Sequence, residues 1–113
     1  MAECIFCEIA AGNIPSTKLH EDDQCVAFKD IAPAAPTHLL VIPREHLASL
    51  DDADEEHGAL LARMLLVAKR LAGERGLDEG YRVVINRGVH GGQTVDHLHI
   101  HVLGGRPMTW PPG

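Results

Sequence analysis

No stretch of this chain approaches the roughly 18 consecutive apolar residues that a membrane-spanning helix needs, so no contact with a membrane is expected. Clustered basic residues are also missing, and the formal charge is -6. Together these exclude a protein that grips a nucleic-acid backbone, but leave room for a pocket that takes a single nucleotide. The start, Met1-Ala2-Glu3-Cys4, has no basic segment followed by an apolar one. No secretion signal is therefore expected, and a cytoplasmic location is the default. Internal repeats and low-complexity segments are absent too. The 113 residues, 45% of them hydrophobic, suffice for one domain with one core.

Cysteine is scarce and odd in number, with three residues. Cys4 and Cys7 form a Cys-x-x-Cys pair, which in a reducing compartment binds metal or does redox chemistry more often than it forms a structural disulfide. Structural zinc wants four ligands, so histidines would have to complete the set. His20, His38, His46, His57, His90 and the histidines near the C-terminus are all formal candidates, and spacing does not choose among them. Two free thiols on a small helix are the alternative. Cys25 sits in the apolar run Cys25-Val26-Ala27-Phe28 and reads as a small core residue.

Histidine, by contrast, is plentiful, and three of the eight fall at alternate positions in Asp96-His97-Leu98-His99-Ile100-His101-Val102-Leu103. Period-two alternation predicts a half-buried strand, with the imidazoles on one face and the aliphatics on the other. At about 3.3 Å of rise per residue, His97 and His101 would lie roughly 13 Å apart, too far to share one metal bound at about 2.1 Å. The three histidines must therefore divide their tasks. Three unrelated solvent-facing imidazoles are a poor alternative, because histidine is a weak strand former.

Upstream, residues 4–12 predict a short helix with Ile5 and Ile9 on one face and Gly12 as its stop. Strands over 17–21 and 24–29 would form a hairpin around Glu21-Asp22-Asp23. Residues 30–36 hold two prolines and are irregular. The strand 38–43 is apolar on both faces, hence central and covered on both sides. The main helix is expected over 51–75, capped by Asp54 or a neighbouring Asp, with Leu60, Leu61, Met64, Leu65, Val67, Ala68, Leu71 and Ala72 as its core stripe. A strand over 81–86 and a flexible loop holding Gly88, Gly91 and Gly92 lead into the histidine strand, and Gly104-Gly105 ends it. This order suggests an α+β domain with a mostly antiparallel sheet.

The glycine loop with Gln93 and Thr94, placed before a histidine face, makes a plausible phosphate cradle. An imidazole nucleophile needs one free ring nitrogen, while the other donates a hydrogen bond that fixes the tautomer. His-x-His-x-His can supply both a nucleophile and a charge-stabilising neighbour on one rigid strand. A further option is that His97 and His99, at i and i+2, share a catalytic metal.

Residues 93–103 resemble the signature of the histidine triad (HIT) family. Phe28-Lys29-Asp30-Ile31, Ala35-Pro36-Thr37-His38, Val41-Ile42-Pro43, 80–86, Gly91-Gly92-Gln93, Gly104-Gly105-Arg106 and the ending Trp110-Pro111-Pro112-Gly113 resemble its Hint-like branch. The resemblance implies a HIT domain over 1–113 with 104–113 as C-terminal tail. It also implies a five-stranded sheet, one long and one short helix, and a homodimer. His99 would attack the α-phosphorus of a purine nucleoside phosphoramidate or acyl-nucleotide. A nucleotidyl-histidine would form, and water would release the nucleoside monophosphate. His101 would contact the phosphate and assist the leaving group, and His38 would orient the histidine network. Asp30 would hold the ribose hydroxyls, with Phe28 and Ile31 against the base. Asn86, Gly92, Gln93 and Thr94 would surround the phosphate, and Trp110 would come from the partner subunit. As in bacterial members with an N-terminal Cys-x-x-Cys, Cys4, Cys7, His46 and His97 would hold a structural zinc, with no catalytic metal. Asp96 departs from the pattern, at a position often held by a larger side chain. Two other readings are dinucleoside polyphosphate hydrolysis, against which the Trp110-Pro111-Pro112-Gly113 ending argues, and a nucleotide-binding interaction module without catalysis.

Overall fold

The computed structural model describes residues 4–113. The start at Met1-Ala2-Glu3, read above for a secretion signal, lies outside the described residues. The elements in chain order are helix α1 (Ile5–Ala10), strands β1 (Lys18–Glu21), β2 (Cys25–Lys29) and β3 (Thr37–Pro43), helix α2 (Gly58–Glu74), strand β4 (Tyr81–Val84), the one-turn helix α3 (Gly88–Gly91), and strand β5 (Ile100–Gly104). The strands form one sheet in the order β1-β2-β3-β5-β4, with every neighbouring pair antiparallel. The α+β class and the antiparallel sheet expected from the sequence are present. None of the described helices is long and apolar enough to cross a membrane.

The sheet separates two apolar layers. Alternation along β3 sends Leu39 and Val41 toward α2, where they meet Met64, Val67 and Leu71. Leu40 and Ile42 go the other way and meet Phe6, Ile9 and Phe28 under α1. The doubly apolar strand is thus central and covered on both faces. Cys25 is fully buried in the α2 layer, as a core residue should be.

Three expectations need correction. The main helix starts at Gly58, not at Asp51. Ser49 and Asp52 close a capping box around one 3-10 turn, and Asp54 and His57 close another. Between the turns, Ala53 is extended at ψ 140°, so strong local caps break the path instead of feeding one helix. The helix ends as Gly76 turns left-handed (φ +71°) and Leu77 N–H bonds back to the Ala72 carbonyl at 3.1 Å. Secondly, Leu65 is not core: it is 47% exposed. Thirdly, Gly88 to Gly91 form a helical turn that Gly92 (φ +83°) stops, so the flexible loop is an ordered corner.

The histidine strand is shorter than the alternation suggests. Pairing with β3 stops at Val41 opposite Ile100. Further out, Pro43 has no N–H to give, and its carbonyl is taken by the His97 ring at 2.9 Å. Leu98 N–H instead bonds to the Leu47 carbonyl and His97 N–H to the Val95 carbonyl. The alternation itself survives: Leu98, Ile100 and Val102 face α2, while Phe6 from the opposite layer packs edge-on against His97 and His99.

Asp22 ties the hairpin to α2. Its Oδ1 accepts N–H bonds from Gln24 and Cys25 at 2.7 and 2.8 Å, and its Oδ2 accepts from His20 at 2.6 Å and Arg63 at 2.9 Å. Burial opposes ionisation, but His20, the two amides and Arg63 outweigh it and hold the carboxyl well below the usual carboxylate range. A depressed folded-state pKa contributes stability above the unfolded value near 3.8, which is lost as pH falls through the folded one. Asp22→Ala is therefore expected to destabilise by about 2–4 kcal/mol at neutral pH. Urea denaturation at pH values from 7 to 2 should show this difference shrinking below about pH 4.

Candidate functional site

The short helix and the bend before β5 bring four soft and borderline donors together. The Sγ atoms of Cys4 and Cys7 and the Nδ1 atoms of His46 and His97 all lie within 4.8 Å of one another. Cys4 Sγ is 3.2 Å from His97 Nδ1, and Cys7 Sγ is 3.3 Å from His46 Nδ1 and 3.5 Å from His97 Nδ1. A tetrahedral zinc bound at about 2.3 Å to sulfur and about 2.0 Å to nitrogen requires S···N edges of about 3.5 Å. The four residues therefore fit such an ion. His97 is preset for it: Nε2–H donates to the Pro43 carbonyl, which leaves the Nδ1 lone pair facing the thiols. Burial, then the neighbouring Cys4, pushes the Cys7 thiol up to about 11, so two adjacent thiolates here would need a dication beside them.

The remaining two histidines of the strand take different partners. His99 donates Nδ1–H to the His97 carbonyl at 2.6 Å, so its Nε2 carries the free lone pair. His101 takes its tautomer from His38. Ala34 N–H donates to His38 Nδ1 at 3.0 Å, so the His38 proton sits on Nε2 and donates to His101 Nδ1 at 2.9 Å. The His101 proton is then on Nε2, which is buried without a partner. Burial lowers the proton affinity of His38, against the pull of Asp30. Burial, then His99 and His38, pushes His101 down to about 4. The donor atoms of His97 and His99 do not converge in one cluster among the described residues.

The His99 and His101 rings lie 4.8 Å apart on one wall of an elongated pocket of about 260 Å³. Phe28, Asp30, Ile31 and Thr94 line the same pocket. The Asp30 carboxylate is engaged on both oxygens: Oδ1 accepts Ala32 N–H at 2.8 Å, and Oδ2 lies 3.4 Å from His38 Nε2. His38 stands behind His101 and reaches the pocket only through it. Asn86, Gly92, Gln93 and Trp110 do not line the pocket. The Gln93 side chain is committed to backbone: Oε1 accepts from Gly88 N–H, and Nε2 donates to the Ala48 and Val95 carbonyls. Trp110 is 83% exposed.

Sequence reasoning missed the apolar floor supplied by Ile5, Phe6, Ile9 and Ile14. Ile5 and Ile9 were legible as one face of a short helix, but nothing in the spacing said that this face covers the histidines. It also missed Ser16, which lines the pocket and whose hydroxyl is buried without a partner. A single serine beside a proline carries no sequence signal of that kind.

The family model described as "Scavenger mRNA decapping enzyme C-term binding" matches residues 3–110. An uncharacterised HIT-like protein of Synechococcus elongatus is 55% identical over 98% of this chain and 97% of its own length. A 14 kDa zinc-binding protein of Brassica juncea is 50% identical over 98% of this chain and 100% of its own. The crystal structure of a HIT family hydrolase from Legionella pneumophila superposes with a TM-score of 0.96 at 53% identity, covering 98% of this chain and 100% of that one. Fold, relatives and the three partitioned histidines agree, and the chain belongs to the histidine triad (HIT) family.

Proposed function

We propose that the protein is a nucleotidyl hydrolase of the Hint-like kind, acting on purine nucleoside phosphoramidates or acyl-nucleotides. The observation that carries this reading is the His99 ring, whose Nδ1–H is locked on the His97 carbonyl while Nε2 keeps its lone pair at the pocket wall. In the first step His99 Nε2 forms a bond to the α-phosphorus as the phosphorus–nitrogen bond to the leaving group breaks. His101 gives the leaving nitrogen its Nε2 proton. The low proton affinity of free His101 is raised by the arriving phosphate anion, so a second proton enters with the substrate, and the imidazolium becomes neutral once its Nε2 proton has gone to the leaving nitrogen. In the second step water attacks phosphorus, the bond to His99 breaks, and neutral His101 takes a proton from that water. His38 keeps His101 oriented throughout. Asp30 accepts from the ribose hydroxyls, and Phe28 and Ile31 enclose the base. Thr94 meets the phosphate from the pocket lining, and Gln93 acts from outside by bracing the loop between Gly88 and Val95. His99→Asn is expected to reduce turnover of adenosine 5′-phosphoramidate by at least about 10⁴-fold, with unchanged circular dichroism. Turnover within tenfold of the parent would overturn the assignment. The parent should also hydrolyse the phosphoramidate faster than diadenosine polyphosphates.

Cys4, Cys7, His46 and His97 hold a structural zinc in this reading, and the Brassica relative's name supports it. Such an ion would tie α1, the floor of the pocket, to the bend that carries the histidines. Elemental analysis should return about one zinc per chain, lost in Cys4→Ser and Cys7→Ser together with a fall in thermal midpoint. A metal-free preparation with an unchanged midpoint would leave the free-thiol reading standing.

The single domain acts as a homodimer. The edge strand β4 exposes Tyr81 and Val83, and Leu65 and Leu66 are exposed on α2. Those apolar groups and an unpaired strand edge call for a covering surface, and a second copy supplies one that matches. The tail with Trp110 would then reach the neighbouring pocket. Light scattering should give twice the 12.2 kDa chain mass, and Leu66→Asp with Val83→Asp should return it to one chain.

A further inference from the structure

Lys29 and Asp30 line two hollows at once. One is the nucleotide pocket. The other, of about 240 Å³, opens on the α2 side and is walled by Pro33, Pro36, Thr37 and Arg75. Lys29 ends β2 in phase with Cys25 and Ala27, which face α2, and Arg75 directly follows the end of α2. Two distant parts of the chain thus bring one cation each to the same concavity.

The remaining positive charges make this pairing unusual. The chain has ten Lys and Arg residues. Lys18, Arg44, Arg63, Arg70 and Arg87 meet carboxylates, and Arg82 and Arg106 donate to backbone carbonyls. Among the described residues, only Lys29, Lys69 and Arg75 have no side-chain partner of either kind. Two of these three line this one hollow. In a protein of net charge -6, an unneutralised pair of cations in a concave wall selects an anion. Thr37 adds a hydroxyl to the same wall.

We propose that this hollow binds a second phosphate, carried on the 2′ or 3′ oxygen of a nucleotide whose 5′-phosphate lies at His99. The ligand class is then a ribose-phosphorylated nucleoside 5′-phosphate. The inference rests on the reading that Asp30 faces the ribose, because Asp30, together with Lys29, is shared by both hollows. The Asp30 carboxylate keeps the hydroxyl that is not phosphorylated. Its charge opposes the second phosphate, but it is already engaged by Ala32 N–H and His38, whereas Lys29 and Arg75 are free. Two cations against one engaged carboxylate leave a net attraction.

Calorimetric titration of the full chain at about 0.15 M salt would compare adenosine 5′-monophosphate with adenosine 3′,5′- and 2′,5′-bisphosphate. One bisphosphate is expected to bind about five- to tenfold tighter than the monophosphate, and which one identifies the oxygen. In Lys29→Gln/Arg75→Gln the ratio of bisphosphate to monophosphate affinity should fall to about one or below, while Lys29→Arg should preserve it. If the double variant does not fold, Arg75→Glu alone, at the exposed helix end, should reverse the preference. The proposal is overturned if neither bisphosphate exceeds the monophosphate in the parent, or if the advantage survives loss of both cations. Failure of the monophosphate itself to bind would refute the nucleotide reading, a separate outcome that removes this inference with it.

Discussion

The buried ring of His97 is the constraint on which the site depends. It is fully shielded from solvent, and both of its nitrogens are committed. Nε2–H takes the Pro43 carbonyl at the end of β3, which stops the β3–β5 ladder and bends the chain at residues 95–97. Nδ1 faces the two thiols of the N-terminal segment and so holds α1 over the sheet. The bend also aims the His97 carbonyl at His99 Nδ1. One residue thus links the metal-type cluster, the floor of the pocket and the tautomer of the proposed nucleophile, although its own ring lies outside that pocket.

Much of this was legible because it is written in local periodicity. Alternation at 97–103 correctly divided aliphatics from imidazoles, and the doubly apolar 38–43 correctly went to the middle of the sheet. What misled was competition between local signals. Asp54 and the neighbouring Asp residues look like the start of one helix, and the pairs Ser49–Asp52 and Asp54–His57 close two separate turns instead. Leu65 fits the helical stripe, yet it lies with Leu66 on the exposed flank of α2. The Gln93 amide looked like a free donor, and three backbone groups claim it, which no sequence spacing reports.

The charges follow the same division between local and tertiary information. Asp22 lies in a turn, where an acidic residue is unremarkable in sequence. Its importance comes from Arg63, forty-one residues away, which joins the local partner His20 on the same carboxylate. Lys29 and Arg75 are the converse case, two cations that the fold brings to one hollow whose single carboxylate, Asp30, is engaged by Ala32 N–H and His38 instead of by them. Where the fold supplies a counter-ion, a charge is structural. Where it leaves two like charges together in a concavity, the missing partner is a ligand.

The histidines show how far spacing can go. Every second position fixes the face, and no more. Tautomers decide which nitrogen attacks, donates or ligates, and backbone groups set all of them here. By accepting, the Pro43 carbonyl keeps the His97 proton on Nε2 and the His97 carbonyl keeps the His99 proton on Nδ1, and the Ala34 amide forces the His38 proton onto Nε2 and hence that of His101 onto Nε2. Each of these backbone groups has a fixed role, since a carbonyl can only accept and an amide only donate. Three chemically identical side chains are thereby given three different free atoms: a ligand lone pair on His97, a nucleophilic lone pair on His99 and a proton on His101. The chemistry of the triad is therefore a property of the bend and of the 34–38 turn as much as of the histidines themselves.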